Sequence, residues 1–184
     1  AIYTDSGSVT VTDSTFTNTK ADGFGGAIGT NVGNVTVSDS TFNHISNIGD
    51  GGAIGTSSGN VYVTGSTFND TTAQSSGGAI CSYSDSVIVT NSTFNHTTAY
   101  YAGGVIFTSN SVIVTGSTFN HTTATNGIGG AINGYSVTVT NSTFTNNTAI
   151  DGGAIFGGSV NMTGSTFTDN SANNNGASIY ASNV

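Results

Sequence analysis

The chain has 184 residues, with 27 Gly, no Pro, no Trp, a single Lys or Arg, and a net charge of −8 at pH 7. Charged residues make up 5% of it, against about 25% in an ordinary soluble protein. One Lys cannot neutralise a run of phosphates, which excludes nucleic acid and anionic membrane surfaces as partners. No apolar run approaches the ~20 residues that span a bilayer, so no membrane insertion is expected.

The first predicted element is Val9-Thr10-Val11-Thr12. Its period of two reads as a strand with the valines turned in and the threonines out. Asp13 follows, then Ser14-Thr15-Phe16. This cassette recurs along the whole chain, and its Phe falls at Phe16, Phe42, Phe68, Phe94, Phe119, Phe144 and Phe167. The spacings between them are 26, 26, 26, 25, 25 and 23 residues. The residue between the two halves is Asp13, Asp39, Gly65, Asn91, Gly116, Asn141 or Gly164. Only Asp, Asn and Gly occur there, the residues that adopt a left-handed backbone most cheaply. A one-residue corner between two short strands is predicted, with Ser14 and Phe16 inward and Thr15 outward.

Next in each repeat comes Ala, five residues after the Phe in six of the seven copies, with Asn47 the exception. Then follows Gly-Gly-Ala-Ile, as in Gly25–Ile28, Gly51–Ile54, Gly77–Ile80, Gly129–Ile132 and Gly152–Ile155. Gly103–Ile106 carries Val for Ala, and Gly176–Ile179 is a degenerate copy. From first Val to Phe the distance is always seven residues, whereas the other connections vary. A constant cassette joined by variable connections is the pattern of packed strands and surface loops.

The predicted fold is therefore all-β: a single-stranded parallel β-helix solenoid of about seven coils of 23–26 residues, forming one domain over 1–184. The seven Phe form a structural ladder inside it, beside Val, Ile and Ser ladders. Both ends fall inside a repeat, so the chain is expected to be a segment of a longer repeat array or a filament subunit. Its expected partner is itself, by end-to-end or lateral association.

These motifs resemble the repeats of chlamydial polymorphic outer-membrane proteins, in which Gly-Gly-Ala-[Ile/Leu/Val] is followed by Phe-x-x-Asn. They resemble still more the Asn/Thr-rich adhesin-like β-helix proteins of methanogenic archaea. Phe-x-x-Asn itself occurs here only at Phe144–Asn147 and Phe167–Asn170. Thr19, Thr71, Thr97, Thr122 and Ile45 stand in the Asn place of the other coils. The resemblance implies a right-handed helix, an extracellular or cell-surface location, and an adhesive or surface-layer role.

Several features bear on function. Asn-x-Ser/Thr sequons occur at Asn34, Asn69, Asn91, Asn95, Asn120, Asn141, Asn146 and Asn161. These are candidate glycosylation sites, and covalent glycan would solubilise a nearly uncharged surface. The column Asn18, His44, Asp70, His96, His121, Asn146, Asp169 places Asp70, His96 and His121 on three consecutive coils, where a cation could sit; solvated turn residues are the plainer interpretation. The outer column beginning Thr12, Ser38, Thr64 is suited to ice contact, but the parallel row is broken by Tyr62, Ile88 and Ile113.

Glycan hydrolysis needs a placed pair of carboxylates, and the nine Asp are scattered. No enzyme activity, catalytic residue, cofactor or metal is therefore predicted. Tyr100, Tyr101, Phe107, Tyr135 and Phe156 lie in or beside the variable connections, where they could bind sugars or partner chains. The function expected is an extracellular structural protein contributing to a glycosylated filament or sheath. The alternative is an adhesin domain that binds glycans or neighbouring cells through its variable loops.

Overall fold

The computed structural model describes all 184 residues. They form 25 short strands and no helix. Every strand pairing is parallel, and each pairs a segment with its own counterpart one coil away. The chain is thus a parallel β-solenoid, with rows of Ile, Val and Phe strands running its length.

Register never slips through the cassettes. Phe16 pairs with Phe42, Phe42 with Phe68, and so on to Phe167. The rings stack at 4.5–5.0 Å between centroids, and the two most parallel pairs lie within 1°. Phe42 to Phe144 are fully buried, whereas Phe16 and Phe167 are only partly so. The Ile column from Ile28 to Ile155 and the two Val columns complete the core.

The predicted corner is present in every coil. Asp13, Asp39, Asn91 and Asn141 have φ of 47–48°, and Gly65, Gly116 and Gly164 have φ of 58–60°. The inner Ser ladder explains how the chain turns there without losing hydrogen bonds. Ser66 N–H donates to Ser92 Oγ of the next coil at 3.1 Å, and Ser66 Oγ–H donates to Thr64 O at 2.9 Å. The same pair of bonds recurs at Ser40, Ser92, Ser117 and Ser142. Each serine satisfies a backbone amide that would otherwise be buried unpaired.

The column two residues after each Phe is a second left-handed corner, with φ of 51–55° from Asn18 to Asp169. A third lies at the first Gly of each Gly-Gly pair, where φ is 60–70°. The second Gly answers a different need. A β-carbon on Gly26, Gly52, Gly78, Gly104 or Gly130 would collide with the carbonyl oxygen of the matching Gly in the next coil. Coil-to-coil approach there is set by bare backbone.

The Ala column is buried from Ala73 to Ala149 and half-buried at Ala21 and Ala172, and its exception has a role. Asn47 Nδ2–H donates to Gly23 O and Asp50 O, each at 2.7 Å, and Asn47 Oδ1 accepts from Gly49 N–H at 3.3 Å. It pins the Ile48-Gly49-Asp50 connection from inside.

Candidate functional site

The outward residue after each repeat Ile forms a column of its own. It runs Tyr3, Gly29, Gly55, Cys81, Phe107, Asn133, Phe156 and Tyr180, in register throughout. Over the first coils this face is closed. A β-carbon on Gly29 would meet Phe24 O, and one on Gly55 would stand 2.6 Å from Gly25 N. Phe24, Tyr83 and Phe107 then cover it edge to face, at 5.6 and 5.9 Å between ring centroids. Tyr83 Oη–H donates to Asp50 Oδ2 at 2.8 Å. Burial, followed by that bond to a carboxylate, pushes the Tyr83 hydroxyl above its ordinary pKa. Beneath them Cys81 is completely buried, and its thiol is pushed well up, first by burial and then by the charge of Asp50.

Further along, the face opens. The connection from Ile to Val shortens, so that Ile132–Thr140 and Ile155–Thr163 run as unbroken nine-residue strands. Gly134 and Gly157 take the inward place that Thr30, Thr56 and Thr108 occupy in coils with a longer connection. A β-carbon on Gly134 would stand 2.8 Å from Val112 Cγ2, and one on Gly157 2.9 Å from Val160 Cγ2. With no side chain in between, the strands settle onto the valine columns and leave a hollow outside.

That hollow is a groove of about 350 Å³. Phe107, Tyr135, Phe156 and Tyr180 wall it, and Gly157 and Gly158 form part of its lining. Phe156 and Tyr180 stack at 5.1 Å, 20° from parallel. The Tyr135 ring lies against Gly158, where an added β-carbon would be 3.4 Å from Tyr135 Cδ2. Between Phe107 and Phe156 in the column sits Asn133, which is 9% exposed and lines the groove with an amide that no protein group hydrogen-bonds. No charged residue lines it. Its lining offers aromatic stacking and neutral hydrogen bonding.

Of the aromatic residues singled out in the sequence, Phe107, Tyr135 and Phe156 converge here. Tyr100 and Tyr101 do not; they pack edge to face on each other at 4.8 Å, exposed, outside the groove. Tyr180 and Asn133 were not legible as site residues. Their only signal is their place in the column, one residue after Ile179 and Ile132.

The His/Asp column is a row of left-handed turns, exposed at every member but the half-buried Asn146. His44 Nε2 lies 3.4 Å from Asp70 Oδ2, His96 Nδ1 lies 3.9 Å from Asp70 Oδ1, and His96 and His121 stack at 5.3 Å. No three His, Cys, Asp or Glu side chains are grouped so as to hold a metal ion.

The sequons divide in two. Asn34, Asn91, Asn141 and Asn161 are exposed, whereas Asn69, Asn95, Asn120 and Asn146 are half-buried. Asn69 and Asn95 are less open to solvent than alternation alone suggests, because they belong to an amide ladder. Asn95 Nδ2–H donates to Asn69 Oδ1, and Asn69 Nδ2–H to Asn43 Oδ1, both at 2.9 Å.

Residues 25–184 match the family model described as a right handed beta helix region. The chain belongs to that family. The parallel solenoid is thus a right-handed β-helix, as the resemblance implied. No curated protein and no solved structure gives a significant match. A right-handed β-helix is compatible with extracellular and surface roles.

Proposed function

We propose that this β-helix is a structural element of the cell exterior that presents an adhesive groove, and that it works by binding rather than by catalysis. The observation that carries this is the groove itself. One groove opens on the stacked columns, and what lines it is four aromatic rings and a free amide. The rod suits an exposed position. A single Lys and no Arg leave trypsin one site, and stacked ladders resist local opening. Covalent glycan at the exposed sequons Asn34, Asn91, Asn141 and Asn161 would keep the nearly uncharged surface soluble.

The test is binding of the fluorescently labelled chain to intact cells and isolated cell walls, measured by flow cytometry. Saturable binding that a Tyr135→Ala/Phe156→Ala double variant loses supports the adhesive role. Equal, non-saturable adherence of both proteins contradicts it.

A filament or sheath component is the second reading. What supports it is the interchangeability of the coils, since the cassettes hold one register from Phe16 to Phe167. A coil of one copy could add to a coil of another by the same pairing. Sedimentation velocity at rising concentration tests this: growth of a polymer series supports it, and a constant monomer removes it.

A further inference from the structure

The groove also carries information about what it holds. Phe107 and Phe156 stand on coils two apart, with Asn133 on the coil between them. Two strand spacings separate their backbones by roughly 9.6 Å. A ring in van der Waals contact needs about 3.5–4.0 Å on each side. The interval therefore admits one six-membered ring between the two aromatic positions, over the Asn133 amide. A second platform, the stacked pair Phe156 and Tyr180, continues along the same column.

The polar groups narrow the choice. Asn133 is only 9% exposed as a residue, and its amide, which bonds no protein group, opens onto the groove, where a ligand can reach it. It offers two N–H donors and a carbonyl acceptor. Ser109 and Ser182, both exposed, add hydroxyls to the lining. No charge lines the groove, and the chain as a whole carries −8. An anionic ligand would find no counter-charge and would be repelled at long range. A purely apolar ligand would leave the amide unbonded.

We infer that the groove binds an uncharged saccharide. One sugar ring presents its C–H face to the aromatic walls while its hydroxyls, or an N-acetyl group, bond the Asn133 amide. A neighbouring sugar lies on Phe156 and Tyr180, so the glycan runs along the solenoid axis. The inference rests on the adhesive role proposed above and names the ligand class of that same site.

The experiment is isothermal titration of the full chain with a panel of neutral hexasaccharides (cello-, chito-, laminari-, manno- and malto-hexaose), with hexagalacturonate as the acidic control. Binding of at least one neutral hexasaccharide in preference to hexagalacturonate is expected. Tyr180→Ala and Asn133→Ala should each weaken it tenfold or more, and Tyr180→Phe should keep most of it. Circular dichroism and thermal melting of each variant show that the coils remain folded. No heat with any neutral sugar, preference for the acidic one, or equal affinity in folded Tyr180→Ala and Asn133→Ala proteins overturns the inference. Saturable cell binding that depends on Tyr135 and Phe156, together with failure across this panel, would leave the adhesive role standing and remove the saccharide.

Discussion

The side-chain oxygen of Asn91 fills the space that a β-carbon on Gly116 would take in the next coil. Asp39 stands to Gly65, and Asn141 to Gly164, in the same way. This explains why Asp or Asn is followed by Gly in the corner column from Asp39 onward: the longer side chain leans along the axis and shelters a bare corner beyond it.

Glycines in the two kinds of position should respond differently to Ala. At Gly116 the obstacle is the movable end of Asn91, so Gly116→Ala is expected to cost about 1–2 kcal/mol for a left-handed backbone. At Gly104 the obstacle is the backbone oxygen of Gly130, which cannot step aside without parting the coils. Gly104→Ala should cost about 3 kcal/mol or more, at the upper end of overpacking. Guanidinium denaturation of the two variants checks the order, and equal costs would contradict it.

The Phe ladder should be strongest in its middle. Phe94 is fully buried between Phe68 and Phe119. Phe94→Ala is expected to lose about 3–5 kcal/mol. Phe16, partly exposed and stacked on one side only, should lose clearly less. Denaturant midpoints compare the two.

Not every buried group is satisfied. The hydroxyls of Thr71 and Thr97 are buried with no hydrogen-bond partner. At Asn147, in the same column, the amide is used in full. Asn147 Nδ2–H donates to Phe119 O and Asn170 Oδ1, while Asn147 Oδ1 accepts from Thr122 N–H and Thr122 Oγ1–H. Thr97→Val removes an orphan hydroxyl at nearly constant shape, so it should stabilise the protein by about 1 kcal/mol. Calorimetry should show the melting temperature rising by about 2–4 °C; a fall would mean that the hydroxyl has a partner.

Most of the fold was legible because the cassette is constant. Val9, Val11, Ser14 and Phe16 could be turned inward from a period of two and a corner of Asp, Asn or Gly. The second corner was harder, because His44, His96 and His121 share its column with Asn and Asp, and the row read as solvated turn residues with cation ligation as the lesser alternative. The groove was legible only in part. Phe107, Tyr135 and Phe156 drew notice as aromatics near variable connections, but so did Tyr100 and Tyr101. What separates them is the loss of residues between Ile132 and Val137 and between Ile155 and Val160, which lets Gly134 and Gly157 sink. The sequence shows the shorter spacing but not its depth.

Cys81 offers a local probe. Its thiol is buried and held protonated well above the ordinary range, and the thiolate is the reactive form. The folded chain should remain unmodified by a disulfide reagent at pH 8 and react fully in denaturant. Rapid reaction without denaturant would show that the Phe24–Tyr83–Phe107 cover opens.

Glycan occupancy should follow exposure. Peptide mapping of native material is expected to find sugar at some or all of Asn34, Asn91, Asn141 and Asn161. Neighbouring Asn69, Asn95 and Asn120 are one strand spacing apart, about 4.8 Å, too close for a glycan on each. Full occupancy of all three would contradict the stacked arrangement.

Unbroken stacking of like residues from the first cassette to the last underlies both the rod and its single groove, and the most direct test is an end-to-end distance. Nitroxides placed by Thr12→Cys and Thr163→Cys lie on one outward column, six coil steps apart; Cys81 is buried and stays unlabelled. Pulsed electron resonance should give one narrow distribution near 29 Å between the backbones, with the label arms adding their own width. A broad distribution, or a mean far from that length, would contradict it.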